Sequence, residues 1–421
     1  ILAQVLKCNA LATAPLLRRT AMGAEVSSAV FGGSSNKLQM QECYHLSKLE
    51  KQLANTATCT SGHGGVVVYA MMRGGSPIFS GAAGTVCYGK GEASMETRCA
   101  FEIASVTKIV TAVVVLQLVD EGRLWLDEAW SQAAGGSVGR LVQERVRCWP
   151  MARFGGGTVR QLLQHTSGLP SYWEDECFVA DFEKDTRQRY TTWQLLGAAA
   201  GMSSTCEPMQ RGTSEGHHYA DTNYLLLGLL VEALAGGPLA CVFRSRVFDV
   251  AGISAMGAWC AYLESPPAGA PPLSHRYMGS GVITGQARHS ADSFAAGGIV
   301  TTAPDLAKLI AALGRGDLFP IGGMTTLATM MSWMPIGTGM YYGLGLMRID
   351  LPDAVSIVER LRTHGQLKGH LWGHTGFGGA FAWQWEVPGH EGAIITGTTN
   401  NAERDEEKLI CRIIRAQIQT A

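Results

Sequence analysis

Ser105-Val106-Thr107-Lys108 is the stretch of this 421-residue chain best suited to nucleophilic chemistry. Three positions apart at the start of a helix, Ser105 and Lys108 face the same side, so the amine can reach the hydroxyl. A hydroxyl is a poor nucleophile until a base takes its proton, and a lysine held away from water can be neutral enough to do so. The helix N-terminus adds backbone N–H groups and a positive dipole end, both favourable to developing negative charge. The plainer reading of the same four residues is an N-cap serine and a solvent lysine. A second cluster, Tyr219-Ala220-Asp221, stands just before an apolar run from Thr222 to Gly228. A phenol there can shuttle protons if a cation lowers its pKa, or can be a core ring whose hydroxyl caps a turn. The third is Gly373-His374-Thr375-Gly376-Phe377-Gly378-Gly379, ahead of a strand from Ala380. Glycines on a strand edge let a substrate lie against the backbone like an added strand. The Phe377 N–H could then pair with that of Ser105 as an oxyanion hole, although a glycine-rich strand entry is also an ordinary bulge.

The elements that must hold these residues follow from the apolar spacing. Val66 to Met72 and Ser76 to Ser80, around Arg73-Gly74-Gly75, predict a hairpin. Helical spacing runs from Leu38 to Leu53 and from Val106 to Glu121, with Gly122 where a C-terminal cap belongs. Between Ala129 and Gly285 the helix-like pieces Thr158 to His165, Thr191 to Gly201 and Asn223 to Leu234 alternate with Gly/Pro/Ser loops. A helix is expected from Ala303 to Leu313 with Pro304 in its first turn, strands at Ala380 to Glu386 and Gly392 to Thr399, and a closing helix from Asp405 to Gln419. The pattern predicts an α/β domain interrupted by a helical insertion. Residues 1–40 form a tail or targeting segment, 41–128 and 286–421 the two parts of the α/β domain, and 129–285 the helical domain.

Composition narrows the classes. Hydrophobic residues are 46% and charged residues 16%, against about 25% charged in an ordinary soluble domain, so a large core is expected and disorder is not. Basic and acidic residues, 34 and 35, leave a net charge of −1 with no basic block. Nothing there forms an electrostatic footprint for nucleic acid. The longest apolar stretch, Ile109 to Val119, is interrupted by Thr111 and Gln117 and is too short to span a bilayer. The 11 cysteines are scattered without a C-x-x-C pair, and there is no N-x-S/T sequon, which favours small buried thiols in a reducing compartment. Residues 1–24 lack any acid and carry Lys7, Arg18 and Arg19, a composition that suits a mitochondrial or other organellar transit peptide, or else a loosely attached tail on a cytoplasmic protein.

In this order and at these separations, Ser105-x-x-Lys108, Tyr219-Ala220-Asp221 and His374-Thr375-Gly376 resemble the three motifs of the penicillin-recognising serine hydrolases. The branch of class C β-lactamases, DD-peptidases and related serine esterases is the most similar. Phe101-Glu102-Ile103-Ala104, Val119 to Asp127, His165-Thr166-Ser167-Gly168-Leu169-Pro170, Ala296 to Leu306 and Tyr342-Gly343-Leu344-Gly345 extend the match. The resemblance implies an α+β, β-lactamase/transpeptidase-like fold, in which an antiparallel sheet flanked by helices carries an inserted all-helical domain. It implies that Ser105 is acylated, that Lys108 activates it and that Tyr219 shuttles the proton. Ser105 and Phe377 would supply the oxyanion N–H groups, while Asp221, His374, Thr375, Gly376 and Phe377 would bind substrate. The partner would be a small-molecule or peptide acyl substrate, with no metal and no organic cofactor; oligomeric state stays open.

Two departures bear on specificity. The family's second motif usually ends in Asn, and an ionised Asp221 cannot donate to an acylamino side chain. His374 stands where most β-lactamases have Lys, so a permanent charge for the substrate carboxylate is lost. Both point away from an efficient β-lactamase and towards an esterase or a peptidase, with the esterase favoured; the alternatives are a DD-peptidase or β-lactamase, and a non-catalytic binding or filament-forming module. Gly135-Gly136-Ser137-Val138-Gly139 fits the nucleophile elbow of other hydrolases, yet Glu128 to Ala134 does not read as the buried strand that elbow needs. His364, His370 and His374 suggest zinc only superficially, because Gly369 and Gly373 argue against a helix there. His217-His218 reads as loop bordering the groove.

Overall fold

The computed structural model describes residues 27–28, 50–51, 53–54, 64–87, 93–184, 189–202, 216–278, 281–282, 294–351, 368–401, 410 and 414. In chain order the strands are β1 (Ser27–Ser28), β2 (Gly65–Met72), β3 (Pro77–Gly84), β4 (Ala100–Glu102), β5 (Ala258–Cys260), β6 (Tyr277–Met278), β7 (Gly281–Val282), β8 (Ile299–Thr302), β9 (Met334–Gly337), β10 (Met340–Tyr342), β11 (Met347–Asp350), β12 (His370–Gly376), β13 (Ala380–Glu386) and β14 (Ala393–Thr398). The helices that matter for the site are α1 (Thr107–Asp120), α2 (Val159–Leu163), α3 (Asp221–Ala235) and α4 (Ala303–Gly314).

Nine strands form one antiparallel sheet in the order β1-β3-β2-β14-β13-β12-β11-β10-β9. The two ends of the chain meet where β2 pairs with β14, from Val67 opposite Thr398 to Met72 opposite Ala393. Arg73 and Gly74 turn β2 into β3, with the Gly75 N–H donating to the Met72 carbonyl. β2 reads as an unbroken apolar run because both its faces are covered. Val67 and Met71 pack in the core that includes α1 and α4, while Val66, Val68 and Ala70 meet Leu53, Ile410 and Ile414 on the other side. α4 lies on β2, β13 and β14. Its start is fixed by Thr302, whose hydroxyl accepts the Asp305 N–H, and by Pro304 in the first turn. The fold is therefore α+β, an antiparallel sheet flanked by helices.

α1 is buried at every position from Thr107 to Leu118, so it runs through the core rather than along its surface. It stops at Gly122, whose φ of +68° lets the Gly122 and Arg123 N–H groups turn back onto the Val119 and Leu118 carbonyls. α3 packs against α1 and α2, and helices occupy most of the chain from Ser137 to Phe248. The chain then returns through β5 to a second sheet, ordered β4-β8-β5.

The helix expected at Leu38 to Leu53 is described only at Glu50, Lys51, Leu53 and Ala54, and the closing helix only at Ile410 and Ile414, all of them helical. Residues 1–24 lie outside the described residues. Among the described residues no single helix is long and apolar enough to cross a membrane; the bent pair Asp221–Ala235 and Leu239–Phe248 qualifies by composition, yet α3 is core. The described cysteines Cys87, Cys99, Cys148, Cys177, Cys241 and Cys260 are free thiols.

Candidate active site

β4 ends at Glu102, and the chain passes through a 3-10 turn, Ala104–Val106, before α1 begins at Thr107. Ser105 therefore sits in the turn ahead of the α-helix, not in the helix itself. Ala104 holds φ at 45°, a strained value for a residue with a Cβ, and the turn is closed by the Val106 N–H on the Ile103 carbonyl. Ser105 and Lys108 still meet: Lys108 Nζ lies 2.9 Å from Ser105 Oγ.

Lys108 is fully buried, and an ammonium there requires hydrogen-bond acceptors and a counter-charge. Ser105 Oγ and the Ala296 carbonyl accept from it at 2.9 Å each, and the Asp221 carboxylate supplies the counter-charge, with Oδ1 2.5 Å from Nζ but not aligned as a hydrogen bond. Asp221, expected on the substrate side, thus gives its carboxylate to Lys108. The reason is local: Asp221 is the first residue of α3, which packs against α1, so its short side chain meets the lysine rather than the cleft.

Tyr219 precedes α3, and its ring centroid is 5.0 Å from Lys108 Nζ. The nearest ring to it is His165, with centroids 4.2 Å apart. His165 ends the turn after α2 at φ 58°, and its Nδ1 accepts the Ala220 N–H at 3.2 Å, which leaves the ring proton on Nε2. Asn223 and Ser167 tie the same two segments together, with Ser167 Oγ 2.5 Å from Asn223 Oδ1 and Asn223 Nδ2 donating to the Ala220 carbonyl. Tyr219 is held by a buried polar lattice.

His374 is buried within the same group of side chains. It is 2% exposed on β12, with its ring centroid 6.3 Å from that of Tyr219. Its Nδ1 donates to the Thr375 carbonyl at 2.5 Å, so its Nε2 accepts from the Tyr342 hydroxyl at 3.0 Å. Burial, reinforced by Lys108, depresses its pKa to about 3. His374 is thus a neutral imidazole among Tyr219 and Tyr342, consistent with the loss of a permanent charge at this position. The outer part of the motif does reach the nucleophile's turn: a Cβ on Gly376 would lie 2.2 Å from the Ile103 carbonyl oxygen. Only glycine lets β12 approach so closely, and Thr375 and Phe377, both half-buried, flank that contact.

Several groups in this lattice carry no signal as isolated residues. His165, Ala296 and Tyr342 lie in stretches that match the family, but their roles depend on partners brought together by folding. Burial also depresses His165 well below the usual imidazole range and His217 to about 4. Above pH of about 6.5 these imidazoles are neutral folded or unfolded and add no pH dependence. Below it the unfolded chain binds protons that the folded state refuses, so stability falls as pH drops towards the depressed values. We expect the urea midpoint to be nearly flat from about pH 7.5 to 6.5 and to decline steadily from about pH 6.5 to pH 5, each of His165, His217 and His374 contributing up to about 1.4 kcal/mol per pH unit. A midpoint constant over that interval would contradict this reading of the lattice.

The elbow-like Gly135 to Gly139 is not a strand-to-helix turn. Ser137 begins the helix Ser137–Arg145 after a 3-10 turn and donates to the Ala134 carbonyl. His370 and His374 both lie on β12, but His370 Nε2 stands 3.5 Å from Glu386 Oε2 while His374 faces Tyr342. His364 is outside the described residues. Among the described residues no group of three or more His, Cys, Asp or Glu side chains is placed to hold a metal ion. His217 and His218 are in a loop beside Tyr219, with His218 Nε2 3.0 Å from Glu174 Oε1.

Residues 47–418 match the protein-family model described as Beta-lactamase. The chain is 29% identical over 161 residues to penicillin-binding protein 4* of Bacillus subtilis (38% of this chain, 31% of that protein). It is 30% identical over 179 residues to penicillin-binding protein 4 of Amycolatopsis lactamdurans (41% and 39%). The matched stretch thus spans roughly a third of the length of these curated relatives. Among solved structures, a D-stereospecific amidohydrolase from a Streptomyces species superposes with a TM-score of 0.62 at 25% identity, over 86% of this chain and 97% of that one.

Proposed function

The chain belongs to the Beta-lactamase family of serine hydrolases, and from that premise we propose that it hydrolyses a small, uncharged acyl ester through an acyl-enzyme on Ser105. The observation that carries this reading is Ser105 Oγ at 2.9 Å from a buried Lys108, whose charge also lies 5.0 Å from the Tyr219 ring. Hydrogen-bonded to Ser105 and Ala296 and ion-paired with Asp221, Lys108 acts as a fixed positive charge. That charge favours a phenolate on Tyr219, which takes the Ser105 proton as Oγ attacks the carbonyl carbon. The negative charge that develops on the carbonyl oxygen is met by the Ser105 and Phe377 N–H groups. Collapse breaks the bond to the leaving alcohol, which leaves with the proton from Tyr219. A water then attacks the acyl carbon, giving its proton to the phenolate, and the acid departs as Ser105 recovers its hydrogen.

An uncharged substrate is favoured because the two positions where a charged or acylamino substrate would be recognised are otherwise engaged. Asp221 is ion-paired with Lys108 and His374 is neutral and buried. A hydrogen bond to a charged group contributes about 1.5–3 kcal/mol, so its absence should cost a cephalosporin roughly ten- to a hundred-fold relative to a relative that has it. We therefore expect kcat/KM on p-nitrophenyl butyrate to exceed that on nitrocefin by at least tenfold. A higher value on nitrocefin overturns the assignment. The resemblance to a D-stereospecific amidohydrolase supports a second reading, hydrolysis of a D-amino acid amide. Faster turnover of D-phenylalanine amide than of the butyrate ester would select it, and no turnover of any of the three would favour a binding module.

A further inference from the structure

We propose that Arg276, gripped by the buried carboxylate of Glu102, is a positioning residue that sets the Phe377 backbone for oxyanion stabilisation; the inference rests on the serine-hydrolase reading above. Arg276 and Glu102 are 4% and 7% exposed, and Arg276 Nη2 lies 2.9 Å from Glu102 Oε2. Tyr262 donates its hydroxyl to the other carboxylate oxygen, Oε1, at 3.3 Å. Arg276 Nη1 donates to the Phe377 carbonyl at 3.1 Å, and the guanidinium carbon stands 5.6 Å from the centre of the Phe377 ring. One planar cation thus holds both the carbonyl and the side chain of the residue whose N–H is assigned to the oxyanion.

The arrangement ties the two halves of the oxyanion hole together. Glu102 is the last residue of β4, three positions before Ser105, while Phe377 opens the turn after β12. That turn is closed by the Gly379 N–H on the Gly376 carbonyl. Arg276 packs across it so tightly that a Cβ on Gly378, at φ +88°, would lie 2.2 Å from Arg276 Cδ. The segment bearing Arg276 is itself anchored. The Ser274 N–H donates to the Ala100 carbonyl in β4, His275 to Val86 and Tyr277 to Asn400. A guanidinium suits this post because it is always charged and presents several donors in one plane, which an ammonium cannot do. Removing it, or its counter-charge, releases the Phe377 carbonyl and ring, so the Phe377 backbone and with it the orientation of its N–H in the preceding peptide are no longer fixed. A donor that must meet a developing charge within tenths of an ångström then loses its worth.

The test compares Arg276→Met, Arg276→Lys and Glu102→Gln with the wild type, using p-nitrophenyl butyrate, a fluorophosphonate that counts active serines, and a phenylboronic acid that forms a tetrahedral adduct. Per active serine, we expect kcat to fall about 10²-fold in Arg276→Met, the scale of losing one oxyanion donor, with KM nearly unchanged and boronate affinity reduced by a similar factor. Glu102→Gln, which preserves volume, should fall in the same direction, and Arg276→Lys should not restore the wild-type rate. If the variants lose activity only in proportion to the active serines counted, with unchanged boronate affinity, Arg276 is merely structural and the inference fails alone. A wild type that reacts with neither probe overturns the serine-hydrolase reading, and this inference with it.

Discussion

Replacing Ser105 by Ala is expected to lower ester turnover by about 10⁴-fold or more while leaving the protein folded. The size follows from the role: when the nucleophile is removed, the remaining machinery can only orient water, and nucleophile deletions in serine hydrolases cost on this order. Preservation of the fold follows from the lattice around Lys108. The alanine removes the Ser105 acceptor, and the buried ammonium keeps its hydrogen bond to the Ala296 carbonyl and its ion pair with Asp221. A net loss of about 1 kcal/mol is expected from the missing hydrogen bond, well inside the margin of a folded domain. The decisive experiment measures p-nitrophenyl butyrate hydrolysis and the urea midpoint on the same preparations. Wild-type turnover in Ser105→Ala would remove Ser105 from the mechanism, whatever else the cleft does.

The sequence exposes the order of this site better than its polarity. Ser105 and Lys108 could be paired on paper because three residues of helical rise are a local matter, and the structure brings them within 2.9 Å even though Ser105 precedes the α-helix. The strong run of β2, the Gly122 stop and the Thr302-Pro304 start are likewise written within a few residues of one another. Asp221 and His374 are different. Whether an acidic residue faces substrate or a lysine depends on how α3 packs on α1. Whether an imidazole is charged depends on how deeply the assembled fold buries it and which charges it meets there. Arg276 is the extreme case. Nothing around Ser274-His275-Arg276 marks it, and its partners Glu102 and Phe377 belong to distant elements that only folding unites. Local patterns reveal which residues can react; burial, which is a property of the assembled core, decides their charge.

Burial also makes the two ends of the Lys108–Asp221 pair unequal, and this should be visible in stability. The lysine side chain is fully buried, whereas the aspartate is 13% exposed. Asp221→Ala strands an ammonium that cannot reach water, a change that typically costs about 3–5 kcal/mol unless the lysine gives up its proton. Lys108→Met strands a carboxylate that keeps some exposure, so partial hydration blunts the penalty, and fills the lysine's channel with an apolar chain of similar length. Asp221→Ala should therefore lower the unfolding free energy in urea at pH 7 by clearly more than Lys108→Met. The double variant should recover much of the Asp221→Ala loss, because removing both charges abolishes the desolvation penalty along with the attraction. Equal or reversed single costs, or strictly additive losses in the double variant, would mean that the two groups are not an ion pair in the folded protein. Lys108 would then have to be a neutral amine, and its place in catalysis would pass from fixed charge to general base.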